Sequence, residues 1–189
     1  MAQQRLFVAI DVPETVRAEL AGLAEPLDGV AWTRPEQLHL TLRFVGETEK
    51  REAFEAALER VRVEPFILPV GGIGVFPVRG PAKVLWAGVG RAHTRLFQLR
   101  QQVDDALLSV DLGIAMPNFH PHITLGRVTL PPEQRDKKWL AAFERWRKAR
   151  EKFEGPPFKV AEFHLYASEL RPDGAVHTRL RTYALGKER

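Results

Sequence analysis

A chain of 189 residues with 44% hydrophobic and 28% charged side chains carries enough apolar material to bury a core, yet no apolar run approaches the ~18 residues of a membrane span. Cysteine is absent, which excludes a disulfide framework, a thiolate nucleophile and thiolate-held zinc or iron–sulfur sites. The formal net charge of +4 and a pI near 9.6 tilt the chain toward an anionic partner such as nucleic acid without demanding one.

In chain order, the opening MAQQRLFVAIDVPE lacks an export-signal pattern, and a cytoplasmic location is expected. Within it RLFVAIDV (5–12) predicts a strand ended by Pro13, and Val16, Leu20 and Leu23 share one face of a following helix. WTRPEQLHLTLRFVG ends in a well-alternating strand, and EKREAFEAALERV places Phe54, Ala57, Leu58 and Val61 on a helical stripe. FILPVGGIGVFP and KVLWAGVG read as two strands, the first made irregular by Gly71, Gly72 and Gly74. GGIG lacks the Lys-Ser/Thr and the following helix of a phosphate-cradling loop. HTRLFQLRQQVDDALL predicts a helix with Leu96, Leu99, Val103, Ala106 and Leu107 inward, and HITLGRV a strand. PPEQRDKKWLAAFERWRKAREKFEG then reads as one helix from the two prolines to Gly155, with Trp139, Phe143 and Trp146 inward and a solvated basic side, against a competing reading in which that side steers RNA toward a cleft. FKVAEFHLYASEL and HTRLRTYALG form a final strand pair around PDG. Mixed α and β with partly antiparallel strands is the expectation.

The feature that points to chemistry is a repeat. HLTL at 39–42 and HITL at 122–125 fall one in each half of the chain, a coincidence expected by chance on the order of once in a couple of thousand such compositions. Strand side chains alternate faces, so His39 projects with Thr41 and His122 with Thr124, while Leu40, Leu42, Ile123 and Leu125 project to the core. Two related half-structures facing each other would bring both pairs to one cleft. Two imidazoles can divide proton donation and acceptance near neutral pH, and two hydroxyls can hold the non-bridging oxygens of a phosphate. That is a complete acid–base phosphoesterase, and the motif alone leaves open which imidazole takes which role.

HLTLRFVGE and PHITLGRV resemble the paired HxTx motifs of the 2H phosphoesterases. GVFPVRGPAKVLWAGV and LYASELRPDGAVHTRLRTYALG are similar to the RNA 2′,3′-cyclic phosphodiesterases, also called 2′-5′ RNA ligase-like proteins, and the resemblance covers nearly the whole chain. It implies an α+β fold of two pseudo-symmetric lobes with largely antiparallel sheets around a central cleft, as a single bilobal domain over 1–189. It also implies an RNA or oligonucleotide substrate with a 2′,3′-cyclic phosphate end, and neither metal nor cofactor. In that likeness His39 donates a proton to the leaving 3′-oxygen, His122 activates water, Thr41 and Thr124 hold the phosphate, and the product is a 2′-phosphate.

Arg43 shares the parity of His39 and Thr41 and could face the phosphate. Arg127 has the wrong parity unless Gly126 introduces a bulge. Phe44 and Phe76 are candidates to stack a base, against a competing reading as core. His120, two before His122, would suggest zinc, but Pro121 places the strand start after it and no third ligand has credible spacing. His93, His164 and His177 read as structural. No membrane contact is expected, and a monomer suffices, since one closed cleft needs no second copy. Two other classes stay open: RNA binding without turnover, and ATP-independent 2′-5′ joining with an RNA 5′-hydroxyl in place of water.

Overall fold

The apolar runs become strands and the 3.6-period stripes become helices in the computed structural model, which describes residues 3–90, 93–110, 118–171 and 174–186. The order is β1 (Gln4–Asp11), α1 (Glu14–Ala21), β2 (Val30–Trp32), β3 (His39–Thr48), α2 (Arg51–Leu58), β4 (Phe66–Phe76), β5 (Val84–Val89), α3 (Thr94–Leu108), β6 (His122–Val128), α4 (Lys137–Ala149), β7 (Glu154–Val160), β8 (Glu162–Arg171) and β9 (Gly174–Ala184). Of the PDG turn, residues 172–173 lie outside the described residues.

The strands form one antiparallel sheet in the order β7-β4-β5-β6-β3-β1-β8-β9, with β2 also on β6. The order is symmetric about the β3–β6 contact, three further strands flanking each of those two. This is the α+β, two-lobed arrangement expected, with one correction: the lobes are not the halves of the chain. The first lobe takes β1 and β3 from the start and the β8–β9 hairpin from the end, because β8 pairs with β1. The second is built from β4, β5, β6 and β7 in between. The helices are exchanged as well. α3, from the second half, packs on β3 and α2, whereas α1 packs on β7.

Leu6, Val8 and Ile10 of β1, Leu40 and Leu42 of β3, and Ile123 and Leu125 of β6 form a continuous core with Leu58 of α2, Leu99 and Val103 of α3 and Trp146 of α4. Each such buried side chain contributes ~1.5–3 kcal/mol. Trp139 and Trp146 satisfy their indole N–H groups on the carbonyls of Asp28 and Leu23, which fixes α4 beside the end of α1. No helix among the described residues is long and apolar enough to cross a membrane.

The helix expected over PPEQRDKKWLAAFERWRKAREKFEG is shorter than its pattern. The prolines make a separate 3₁₀ turn, Pro132–Gln134, and α4 starts at Lys137, where the Asp136 carboxylate accepts from the Trp139 N–H at 2.7 Å. α4 ends at Ala149, and Glu154–Val160 is strand, not helix end. Pro156 and Pro157 are tolerated there because β7 is an edge strand and its register with β4 shifts between Leu68 and Val70.

Candidate active site

The two lobes meet where Leu40 of β3 pairs with Ile123 of β6. Both are fully buried on the helix side of the sheet. Pleating therefore sends their neighbours to the opposite face: His39 and Thr124 across from each other on one side of the pair, Thr41 and His122 on the other. The repeated sequence thus lies on a local twofold that gathers two imidazoles and two hydroxyls.

Each imidazole is oriented in the same way. His39 Nδ1 lies 2.7 Å from the Gln37 carbonyl and His122 Nδ1 lies 2.7 Å from the His120 carbonyl. A carbonyl only accepts, so Nδ1 carries the hydrogen and donates in both rings, and Nε2 is the nitrogen left to exchange a proton. Burial lowers both pKa values from 6.5. The carbonyl bond opposes this in each ring, and the local charges then differ. Around His39, His177 and His122 lower the value and Asp11 raises it. Around His122, His120 and Arg127 both lower it. The difference has a place in the sheet: Asp11 is the partner of His39 on β1, and Gly88 holds the equivalent position opposite His122 on β5.

Both motif strands slip by one residue just after the Thr. On β1, Ala9 pairs with Thr41 but Val8 with Arg43. On β5, Trp86 pairs with Thr124 but Leu85 with Gly126. Parity inverts beyond each slip. Arg43 is therefore turned away from the phosphate face expected for it: it is 4% exposed and pairs with Asp104 of α3 at 3.4 Å, beside Arg100. The same slip brings Phe44, 56% exposed, onto the face of Thr41, and brings Arg127 onto the face of Thr124. The symmetry mate of Arg127 is Phe44, and that of Arg43 is Gly126.

The family described as LigT like Phosphoesterase matches residues 10–86 and 89–177, one copy of the motif in each stretch. The chain belongs to the LigT-like phosphoesterases. It is 34% identical over 188 residues to the RNA 2′,3′-cyclic phosphodiesterase of Archaeoglobus fulgidus, covering 95% of this chain and 99% of that one. To its counterpart in Thermotoga maritima it is 33% identical over 183 residues, with 92% and 91% covered. Among solved structures, TT0787 of Thermus thermophilus superposes with a TM-score of 0.79 at 30% identity, covering 98% of this chain and 100% of that one. Escherichia coli LigT complexed with 3′-AMP superposes at 0.74 with 26% identity, covering 99% and 100%.

This LigT-like phosphoesterase surrounds each imidazole with aromatic rings, most of which the sequence did not single out. Phe7 lies 5.1 Å from His39 and 4.9 Å from His177 between ring centroids, and it stacks on Tyr166 at 5.2 Å. His177, read as structural, is 5.5 Å from His39 edge to face. Across the sheet, Phe76 lies 5.0 Å from His122 and 5.2 Å from Trp86, and Trp86 lies 4.8 Å from His120. Trp86 could have been found, since in KVLWAGVG it falls out of phase with the buried Leu85, Ala87 and Val89. Phe7 could not, because RLFVAI is apolar on both faces. His164, read as structural, is 1% exposed, with Nδ1 3.0 Å from the Thr182 hydroxyl. His93 stacks on Phe66 at 5.1 Å.

Proposed function

We propose that this phosphoesterase opens RNA 2′,3′-cyclic phosphate ends to 2′-phosphates by metal-independent acid–base catalysis, with His39 as the acid and His122 as the base. The observation that carries this reading is the twin orientation of the imidazoles, each fixed through Nδ1 with Nε2 left to act. His122 Nε2 takes a proton from water as it attacks phosphorus. The P–O3′ bond breaks, and His39 Nε2–H gives its proton to the departing 3′-oxygen. The product carries a 2′-phosphate and a 3′-hydroxyl. Thr41 and Thr124 donate to the non-bridging oxygens, and Arg127 supplies positive charge beside them. The relatives named for the same activity, and a LigT that binds 3′-AMP, support the substrate class.

The test is turnover of an RNA ending in a 2′,3′-cyclic phosphate with EDTA present, followed by location of the phosphate in the product. A 2′-phosphate is expected, and a 3′-phosphate would reverse the leaving oxygen. Dilute RNA that yields more 2′-5′-joined than hydrolysed product would replace water by a 5′-hydroxyl in this reading.

The assignment of roles rests on the carboxylate that breaks the symmetry. Asp11 favours the protonated form of His39, while Arg127 and His120 favour the neutral form of His122. Asp11→Asn is expected to lower the pKa of the acid and so draw the alkaline limb of the kcat/KM profile to lower pH, leaving the acidic limb in place. Movement of the acidic limb instead would exchange the two roles. In wild type, burial of both rings is expected to draw both limbs of kcat/KM to lower pH than free imidazoles would give. A bound phosphate anion would raise both imidazoles, so the kcat profile is expected at higher pH than that of kcat/KM.

The terminal base rests, in this reading, against Phe76 and Trp86. The Trp86 indole lies directly over Gly74, where an added Cβ would come within 2.0 Å of the ring. Gly74→Val is expected to displace the indole and raise KM about fivefold or more, the scale of one lost base stack, with a smaller change in kcat. Steady-state kinetics with tryptophan fluorescence checks this, and an unchanged KM with a shifted emission would remove Trp86 from the base site.

A further inference from the structure

A cavity of about 560 Å³ opens beside His39, with no residue of β5 or β6 in its lining, within the range of about 300–1,000 Å³ that holds small organic ligands. The acid–base mechanism uses none of it beyond His39, Asp11 and the Gln37 carbonyl that orients His39. One wall is the stacked pair Phe7 and Tyr166, with His177 edge-on. Three guanidiniums line it, those of Arg17, Arg34 and Arg179, against the carboxylates of Asp11 and Glu36. Asp11 is already engaged, since it accepts from the Tyr166 hydroxyl at 2.6 Å and is paired with Arg179. Arg179 Nε also donates to the Tyr166 oxygen at 3.2 Å, so this guanidinium is held in place on the cavity wall. Arg17 pairs with Glu14 at 2.9 Å through Nη2, while its Nε is buried and makes no hydrogen bond among the described residues. Arg34 is exposed at the rim.

The chemistry of a cyclic ribose phosphate gives this cavity a direction. The 3′-oxygen is borne by C3′, which adjoins C4′ and hence the 5′ carbon and the rest of the chain, whereas the 2′-oxygen is borne by C2′, which adjoins C1′ and the base. If His39 protonates the 3′-oxygen, the chain leaves the reacting phosphorus on the His39 side. We propose that the cavity beside His39 is a subsite for the nucleotide that precedes the cyclic end. Its phosphodiester is met by Arg17, Arg34 and Arg179, and its base by the partly exposed Tyr166, whose ring rests on the buried Phe7. The terminal base, on the 2′-oxygen side, keeps to Phe76 and Trp86. The subsite rests on the role given to His39 above. It makes the substrate an RNA end, not a free cyclic mononucleotide.

The test compares kcat/KM for three substrates: a nucleoside 2′,3′-cyclic phosphate, a dinucleotide ending in the same cyclic phosphate, and that dinucleotide with an uncharged methylphosphonate linkage. Wild type is expected to prefer the charged dinucleotide about tenfold or more, with most of the gain lost for the uncharged linkage. The paired substitution Arg17→Gln with Arg34→Gln is expected to bring the dinucleotide to within about threefold of the mononucleotide, mainly through KM. Equal use of mononucleotide and dinucleotide by wild type would overturn the subsite while leaving cyclic phosphate opening intact. A preference that survives both the uncharged linkage and the two substitutions would overturn it equally. Failure of wild type to open any of the three would overturn the hydrolytic reading itself.

Discussion

Replacing either His39 or His122 by asparagine is expected to lower kcat by about 10²–10⁴-fold while leaving the protein folded. Asparagine is the informative choice because its amide nitrogen sits near the place of Nδ1 and can still donate to the carbonyl of Gln37 or His120. Positioning is kept, and only the group that exchanges a proton is lost. Alanine at the same positions removes both and should cost no less. The double substitution should cost little more than either single one, because an acid and a base that act in one displacement are not additive. Rates with a cyclic phosphate substrate, thermal melts and affinity for a 3′-nucleotide together separate chemistry from folding and binding. Full turnover in either asparagine variant would dissolve the two-histidine site. A chain whose variants bind as wild type does, and whose wild type turns nothing over, would be an RNA-binding protein on a phosphoesterase fold.

The largest expected effect on stability lies behind the site. Asp104 of α3 is 6% exposed and faces two guanidiniums, those of Arg43 on β3 and Arg100 one turn earlier on α3. Burial lowers the Arg100 pKa to about 10, with the neighbouring Arg43 adding to it, and burial lowers that of Arg43 too. Asp104→Ala removes the carboxylate that both cations face and is expected to cost about 3–5 kcal/mol. Glu144→Ala, which breaks the exposed pair with Arg147, should cost under about 1 kcal/mol. Urea unfolding with unchanged m-values measures both, and similar small losses would mean that water reaches the Asp104 cluster. Arg43→Met should likewise lose stability yet keep kcat per folded molecule, because its side chain turns from the cleft toward α3. A large fall in kcat at full folding would restore Arg43 to the phosphate.

Arg43 also shows where the sequence stops being readable. Strict alternation places it with His39 and Thr41, and the slip after Thr41 inverts that parity. No residue in HLTLRF announces the slip, whereas in HITLGR the glycine does, and there the alternative reading of Arg127 could be framed in advance. The faces of HLTL and HITL were legible because leucine and isoleucine alternate with His and Thr on a half-buried strand. The inward stripes of α2, α3 and α4 were legible for the corresponding reason at a period of 3.6. Strand β7 was not, since two prolines and a glycine after a basic helix read as its end, and only an edge position accommodates them. Nor was the aromatic lining of the site, which depends on β8 returning to β1 across the chain.

That return sets the order in which the site comes into being on the ribosome. His39, Thr41, His122 and Thr124 have all been made before β8 and β9 emerge, but part of the wall beside His39 has not: Tyr166, His177 and Arg179 come from the β8–β9 hairpin. The first-lobe sheet is closed by strand pairing between the earliest and the latest described segments, the slowest kind of contact for a chain to find. A chain that has emerged only as far as β7 therefore carries both histidines without the residues of β8 and β9 that stand beside His39.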